Sequence, residues 1–184
     1  MAVRAESGHW AEILHTARCL LRKPLPYDAP ALFARVSGDA RVTRYLGWTA
    51  HVELAQTQRQ ISHDLARWQR NAARTWVLVT DDGEAGGLLQ LLGQGHSMRL
   101  GFALAHDLWG RGLASEALAA LLDEAFSHRS LYRVEAVSDI DNPRSARTLE
   151  RVGMQTEGVL RRYILHPNVS PEPRDVLLHA RVRT

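Results

Sequence analysis

The 184-residue chain holds a single cysteine, Cys19, and a single lysine, Lys23. One thiol excludes an internal disulfide and a cysteine-cluster metal site, and within Cys-Leu-Leu it reads as a small core hydrophobe. The nine histidines carry no HExxH segment and no paired Asp/His spacing, so no metal site is expected. There is no run of about 18 apolar residues, the length a membrane-spanning helix needs. Met1 to Leu20 carries Arg4, Glu6, His9, Glu12, His15 and Arg18 where a signal peptide would have an apolar core. These absences lead to the expectation of a cytoplasmic protein without membrane association.

The scarcity of lysine leaves 22 arginines among the 23 basic residues, set against 20 acids for a net charge of +3. That excess is too small to demand nucleic acid, and outside Arg161-Arg162 and Arg181 to Arg183 the signs alternate as on a solvated surface. Arginine nevertheless suits bidentate contacts to phosphate. An apolar content of 45% is enough for one continuous core, so a single domain over 1–184 is expected.

The pattern along the chain alternates strands and helices. A short helix capped by Ser7 is expected to Thr16, then a strand over Ala17–Arg22 ended by Pro24 and Pro26. Asp28 reads as the cap of a helix over Ala29–Val36. Arg41–Trp48 reads as a short helix and turn whose Tyr45 and Trp48 can line a cleft, and Val52–Arg70 as a long amphipathic helix. A meander follows over Thr75–Thr80, Ala85–Leu92 and Met98–Leu104. Leu113, Ala117, Leu118, Leu121, Leu122, Ala125 and Phe126 share one face of the next helix. Arg133–Val137 is a strand, Asn142–Val152 a helix stopped by Gly153, and Gly158–Leu165 and Val176–Val182 the last strands, joined by a proline-rich loop, Pro167–Pro173, expected to be exposed.

Trp109-Gly110-Arg111-Gly112-Leu113-Ala114 lies between the strand ending at Leu104 and a helix beginning near Ser115. A glycine-bearing turn that opens a helix directly after a strand is a phosphate cradle. The helix N-terminus leaves backbone N–H groups unpaired at the positive end of its dipole, and glycine lets a pyrophosphate reach the main chain. A dinucleotide-binding reading would need G-x-G-x-x-G on the first strand and an acidic ribose ligand about 20 residues on; here the turn is mid-chain and lacks the third glycine.

The turn resembles the Gln/Arg-x-x-Gly-x-Gly/Ala loop that binds the coenzyme A pyrophosphate in the GNAT N-acetyltransferase superfamily, with Trp in first place. Thr16–Arg22 resembles the opening "TxRLxLR" strand of that family and Val42–Trp48 its "VxRYLxW" segment. Asp141–Ser145, Leu149–Met154 and Glu157-Gly158 resemble its "NxxSxxxxEKxGMxxEG" block. Together these span about 16–183, with 1–15 as an N-terminal extension, and are similar to the Rim-type branch of ribosomal-protein alanine and serine acetyltransferases. The resemblance implies an α+β (α/β) GNAT fold, with a mixed central sheet of about seven strands, splayed at the central strand and flanked by helices.

It further implies acetyl-CoA as co-substrate and direct attack of a primary amine on the thioester, without a covalent enzyme intermediate. The backbone of Phe102, Ala103 and Leu104 would pair with the pantetheine arm. Trp109, Gly110, Arg111, Gly112, Leu113, Ala114 and Ser115 would hold the pyrophosphate, with Gly112 needed for close approach. Asn142 matches the pantetheine-binding asparagine and equally reads as a helix cap. Ser145 matches the serine proposed to protonate the leaving thiolate and equally reads as an ordinary first-turn residue. Tyr45 and Trp48 are the acceptor-binding candidates. The chain departs from its relatives at the general base. Many carry a Glu where Arg99 stands, and some have one soon after the "EG" pair, where Tyr163 and Ile164 stand here. His96, His106, Glu135, Tyr163 and His166 remain as helpers, with a water chain to solvent as the alternative.

Three functions fit these residues: acetylation of a protein or peptide α-amino group, acetylation of a small amine such as a polyamine, amino acid or aminoglycoside, and acyl-CoA binding without catalysis. The partners expected are acetyl-CoA and an amine acceptor, with no nucleic acid, no membrane and a monomer or homodimer.

Overall fold

Residues Ala73 to Val79 are buried without a break. A strand with one wet face alternates, whereas this one is covered on both faces, as a central strand must be. Trp76 lies at its middle, fully buried, its indole N–H donating to the Ala11 carbonyl at 3.0 Å and its ring edge-on to Trp68 at 4.8 Å. The computed structural model describes residues 9–183. In spatial order its sheet comprises β1 (Ile13–His15), β2 (Cys19–Arg22), β3 (Ala73–Thr80), β4 (Ala85–Leu92), β5 (Ser97–Leu104), β6 (Arg133–Asp139), β8 (Arg174–Val182) and β7 (Gln155–Ile164). Every neighbouring pair is antiparallel except β5 and β6. A parallel pair cannot be joined by a tight turn and needs a crossover, supplied here by helix α4 (Leu113–Ser127).

The remaining helices are α1 (Ala29–Leu32), which widens into a π turn over Phe33–Ser37, α2 (Ala40–Thr43), α3 (Leu54–Gln69) and α5 (Pro143–Arg151). α1 and α3 pack over β3 and β4, α4 over β1 and β2, and α5 over β6, β7 and β8. Six of the seven residues expected on the α4 face are buried, and Phe126 packs half-buried beside them. Among the described residues no helix is long and apolar enough to cross a membrane.

The sheet has eight strands rather than about seven, and the added one lies where a helix was expected. Ile13 to His15 pairs with Leu20 to Arg22, while Trp10 stacks on His128 at 4.0 Å; pairing to the free edge of β2 outweighs local helix propensity. Ser7, the expected cap of that helix, lies outside the described residues. Asp28 does not cap α1 with its side chain. Its carboxylate is nearly buried and accepts from both Arg22 guanidinium nitrogens at 2.6 and 2.8 Å and from the Leu25 N–H at 2.8 Å. A buried carboxylate takes the charged donor over a cap. The loop over 167–173 is only partly exposed: Asn168, Val169 and Ser170 are half-buried.

Candidate active site

β5 and β6 are paired only at Ser97–Arg133, Met98–Val134 and Arg99–Glu135. Beyond Arg99 they part, although β5 stays paired to β4 through Leu104 and β6 to β8 through Asp139. The inward-facing backbone groups of Gly101–Leu104 and Ala136–Asp139 therefore have no strand partner, and such groups need one. Continuing the register places Gly101 level with Val137, and Ala103 level with Asp139. Met98, Leu100 and Leu104 fix β5 in the core, while Gly101, Phe102 and Ala103 are half-buried and a Cβ on Gly101 would meet nothing within 4 Å. The result is a V-shaped slot whose edges can take an extended chain as an added strand. Leu104 offers less than expected, because its carbonyl already accepts from the Trp109 indole at 2.8 Å.

At the open end of the slot the chain turns into α4. Gly110 and Gly112 have φ of +75° and +78°, left-handed values that glycine adopts without strain. Gly112 is the N-cap and offers no side chain, so the N–H groups of Leu113, Ala114 and Ser115 have no intrahelical partner; the first to find one is Glu116, on the Gly112 carbonyl at 3.1 Å. Leu113 contributes only its backbone, since its side chain is buried. Arg111 is exposed. A second arginine stands beside it: Arg18, at the start of β2, donates to Glu116 through Nε at 2.7 Å and to the Arg111 carbonyl at 2.8 Å, and its guanidinium would lie 3.4 Å from a Cβ on Gly112. Burial pushes the Glu116 carboxyl up, but hydrogen bonds from Thr16 and Arg18 outweigh this and hold it below its ordinary value.

The start of α5 borders the same end. Asn142 Oδ1 accepts from the Ser145 N–H at 3.3 Å, so the capping reading holds, and its Nδ2 makes no hydrogen bond to the described residues. Ser145 is half-buried in the first turn. The Arg144 guanidinium lies 4.5 Å over the Trp109 ring, which ties α5 to the glycine loop. Trp109 is thereby a brace between β5 and α5.

The far wall is assembled from four separate segments. Asp139 ends β6 with its side chain fully buried, and receives Arg174 at 2.6 and 2.9 Å and the Asp141 N–H at 2.9 Å. Burial raises the Asp139 carboxyl, and Arg174, the Asp141 N–H and His166 more than offset this, leaving it lowered. Tyr45 is half-buried, donates to the Asp141 carbonyl at 3.1 Å, and presents its ring edge-on to His166 at 6.2 Å. Trp48 packs against His51 at 4.9 Å. Asn168 fixes this segment, donating to the Thr43 and Trp48 carbonyls, each at 2.8 Å. At the closed end Arg99 bridges Glu135 at 3.0 Å and the Tyr163 hydroxyl at 2.7 Å. A bulge in β7 between Leu160 and Ile164, with Arg162 at φ +48°, interrupts the β7 register beside Tyr163.

A strand pair opened beside a glycine-capped helix is a recognisable scaffold, and the sequence comparisons match it. The acetyltransferase (GNAT) domain model matches residues 18–155. The chain belongs to the GNAT acetyltransferase family. It is 34% identical over 170 residues to the uncharacterized N-acetyltransferase YoaA of Bacillus subtilis (strain 168), covering 89% of this chain and 94% of that one. It is 26% identical over 151 residues to the spermidine N(1)-acetyltransferase of Escherichia coli (strain K12), covering 79% and 77%. Among solved structures, Mycobacterium smegmatis RimJ in complex with CoA-disulfide superposes with a TM-score of 0.83 at 26% identity, covering 94% of this chain and 88% of that one. Within this GNAT domain the splay, the glycine loop and the start of α5 lie together, as the motifs imply. Arg18 falls within the Thr16–Arg22 motif, which assigns it no role until β2 meets α4. Asn168 and Arg174 carry no comparable signal: each is one asparagine or arginine among many until the loop over 167–173 folds back on Trp48.

Proposed function

We propose that the protein transfers the acetyl group of acetyl-CoA directly to the N-terminal α-amino group of a protein or peptide. The observation that carries this reading is the slot between β5 and β6, which opens onto the uncapped start of α4. Its free backbone edges suit the amides of a pantetheine arm, and the N–H groups of Gly110 to Ser115, with Arg111 and Arg18, suit a pyrophosphate. Phe102 and Ala103 pair with the arm, Asn142 donates to it through Nδ2, and Trp109 braces the slot. When bound, the coenzyme supplies an activated thioester. The chain's own residues orient it, polarise its carbonyl through a β5 N–H, and deliver a proton from Ser145, directly or through water, to the departing sulfur.

The acceptor assignment rests on charge. Glu135, Asp139, Asp141 and Glu157 all stand near the slot, and every one is paired with Arg99, Arg133 or Arg174. A polycationic amine finds no free carboxylate among these four, whereas a peptide N-terminus needs only one amine seated between Tyr45 and Trp48. Likeness to the Rim branch supports the same acceptor; the spermidine acetyltransferase among the relatives favours the small-amine reading.

Thiol release from acetyl-CoA, measured with a panel of N-terminal peptides beside spermidine, free amino acids and an aminoglycoside, tests the choice. The expected result is turnover with peptides that is lost when their α-amino group is blocked. Turnover with spermidine alone transfers the assignment to small amines, and coenzyme binding without turnover on any acceptor leaves a binding domain.

A further inference from the structure

We propose that His166 is the general base of acetyl transfer, held in orientation by Asp139. This rests on the amine-acetylation reading above but not on which amine is used. The side chain is 4% exposed, yet neither ring nitrogen has a hydrogen-bond partner among the described residues. Burying two unpartnered polar atoms costs stability, and native structures retain such a group where it serves a purpose.

Its surroundings suggest the purpose. Nε2 lies 3.6 Å from Asp139 Oδ2, a carboxylate kept ionised by Arg174 and the Asp141 N–H. An ionised carboxylate facing one ring nitrogen selects the tautomer with its proton there, which leaves the Nδ1 lone pair free. The groups against the ring are Asp139 from β6, whose carboxylate carries Arg174 from β8, and the edge-on ring of Tyr45, whose hydroxyl is tied to the Asp141 carbonyl. Asp139 is level with Ala103 across the slot, and its carbonyl accepts the Asn142 N–H at 2.8 Å. Through its contacts with Asp139 and Tyr45 the imidazole belongs to the far wall, and its Nδ1, covered in the free protein, is reached when an acceptor seats beside Tyr45.

Other titratable candidates are committed or distant. Glu135 is engaged by Arg99 and Arg133 at the closed end, His51 bonds Thr57, His96 lies exposed in a loop, and His106, exposed in a 3-10 turn, packs on Trp109 at 4.7 Å at the open end.

In the proposed step the acceptor arrives as R–NH3⁺ and gives one proton to Nδ1, forming an imidazolium stabilised by Asp139. The amine lone pair then bonds to the thioester carbonyl carbon, the C–S bond breaks, and the second nitrogen proton passes to sulfur through Ser145 or water. The products are the amide and the free thiol, and His166 returns its proton to solvent.

The full-length His166→Gln variant tests this with a peptide that the wild type acetylates. The expected result is a fall of about 100-fold in kcat/KM, typical for loss of an acid–base group, with the KM for acetyl-CoA and the melting temperature unchanged. The acid limb of the pH–rate profile should move up towards that of the free α-amino group, near 8. In His166→Ala, added imidazole should restore part of the lost rate, an effect that a packing role does not produce. Ring 15N shifts of wild-type His166 provide a measurement independent of variant folding, with the proton expected on Nε2 and none on Nδ1. A variant rate within about threefold of wild type, well short of an acid–base effect, overturns the proposal. So does a rate loss that tracks a lower melting temperature without imidazole rescue, or a protonated Nδ1. A wild type active only on spermidine overturns the peptide assignment and leaves His166 testable on that amine; a wild type that binds coenzyme A and acetylates nothing overturns both.

Discussion

The two sides of the slot are built from different materials. The proposed donor side is mostly backbone: the β5 edge, two left-handed glycines and the first turn of α4 follow one another between residues 101 and 115. The proposed acceptor side is mostly side chains, drawn from residues 45, 48, 139, 166, 168 and 174 and held by hydrogen bonds, an ion pair and ring packing. A backbone cradle depends on local conformation and tolerates almost any side chain that leaves it open. A side-chain wall changes chemistry with one substitution while the fold stays intact.

The largest effect should come from breaking the donor side at one atom. Gly112→Glu forces a Cβ into a φ of +78°, 3.4 Å from Arg18, and points a carboxylate at the cradle. Calorimetric titration should show coenzyme A affinity falling by at least about 100-fold, since a side chain and a negative charge stand against the pyrophosphate, while the left-handed strain lowers the melting temperature by only a few degrees. Retained affinity would remove the glycine loop from the site.

The same division explains what was legible in the sequence. The glycine turn with the strand before it, and the Asn142–Ser145 helix start, are each short local segments whose turn and cap are set by φ and capping rules, and both form where those rules put them. β1 was missed because its strand character comes from the free edge of β2 rather than from its own residues. The Asp28 cap was misread because the competing donor, Arg22, lies across a turn. His166 belonged to a pool of five indistinguishable helpers in the sequence. It is separated from them by the meeting of the β6 end, the loop over 167–173 and the segment around Tyr45, which no local pattern encodes.

Ser145 stands where the two sides meet, and its substitution should separate them. Ser145→Ala should leave coenzyme A affinity within a factor of about two and slow turnover by roughly tenfold, below the full range of acid catalysis because water can share the proton delivery. Reduced affinity with unchanged kcat would make Ser145 a binding residue and return the acid role to solvent.

The smallest effect should come from Arg18, the one donor-side group contributed by a distant strand. Its side chain is 51% exposed and already bonded to Glu116 and to the Arg111 carbonyl, so its pull on a phosphate is screened. Two consequences of Arg18→Gln act in the same direction. Glu116 loses its counter-charge in the first turn of α4, close to where a pyrophosphate would lie, and the loop loses its tie at Arg111. Coenzyme A affinity should fall about threefold to fivefold in low salt, the scale of an exposed charge pair. That deficit should shrink as ionic strength shortens the Debye length. Adding Glu116→Gln separates the two causes: if the unneutralised carboxylate is responsible, the double variant regains most of the affinity, whereas a lost loop tie persists in both. Binding as tight as wild type in Arg18→Gln would remove Arg18 from the donor side.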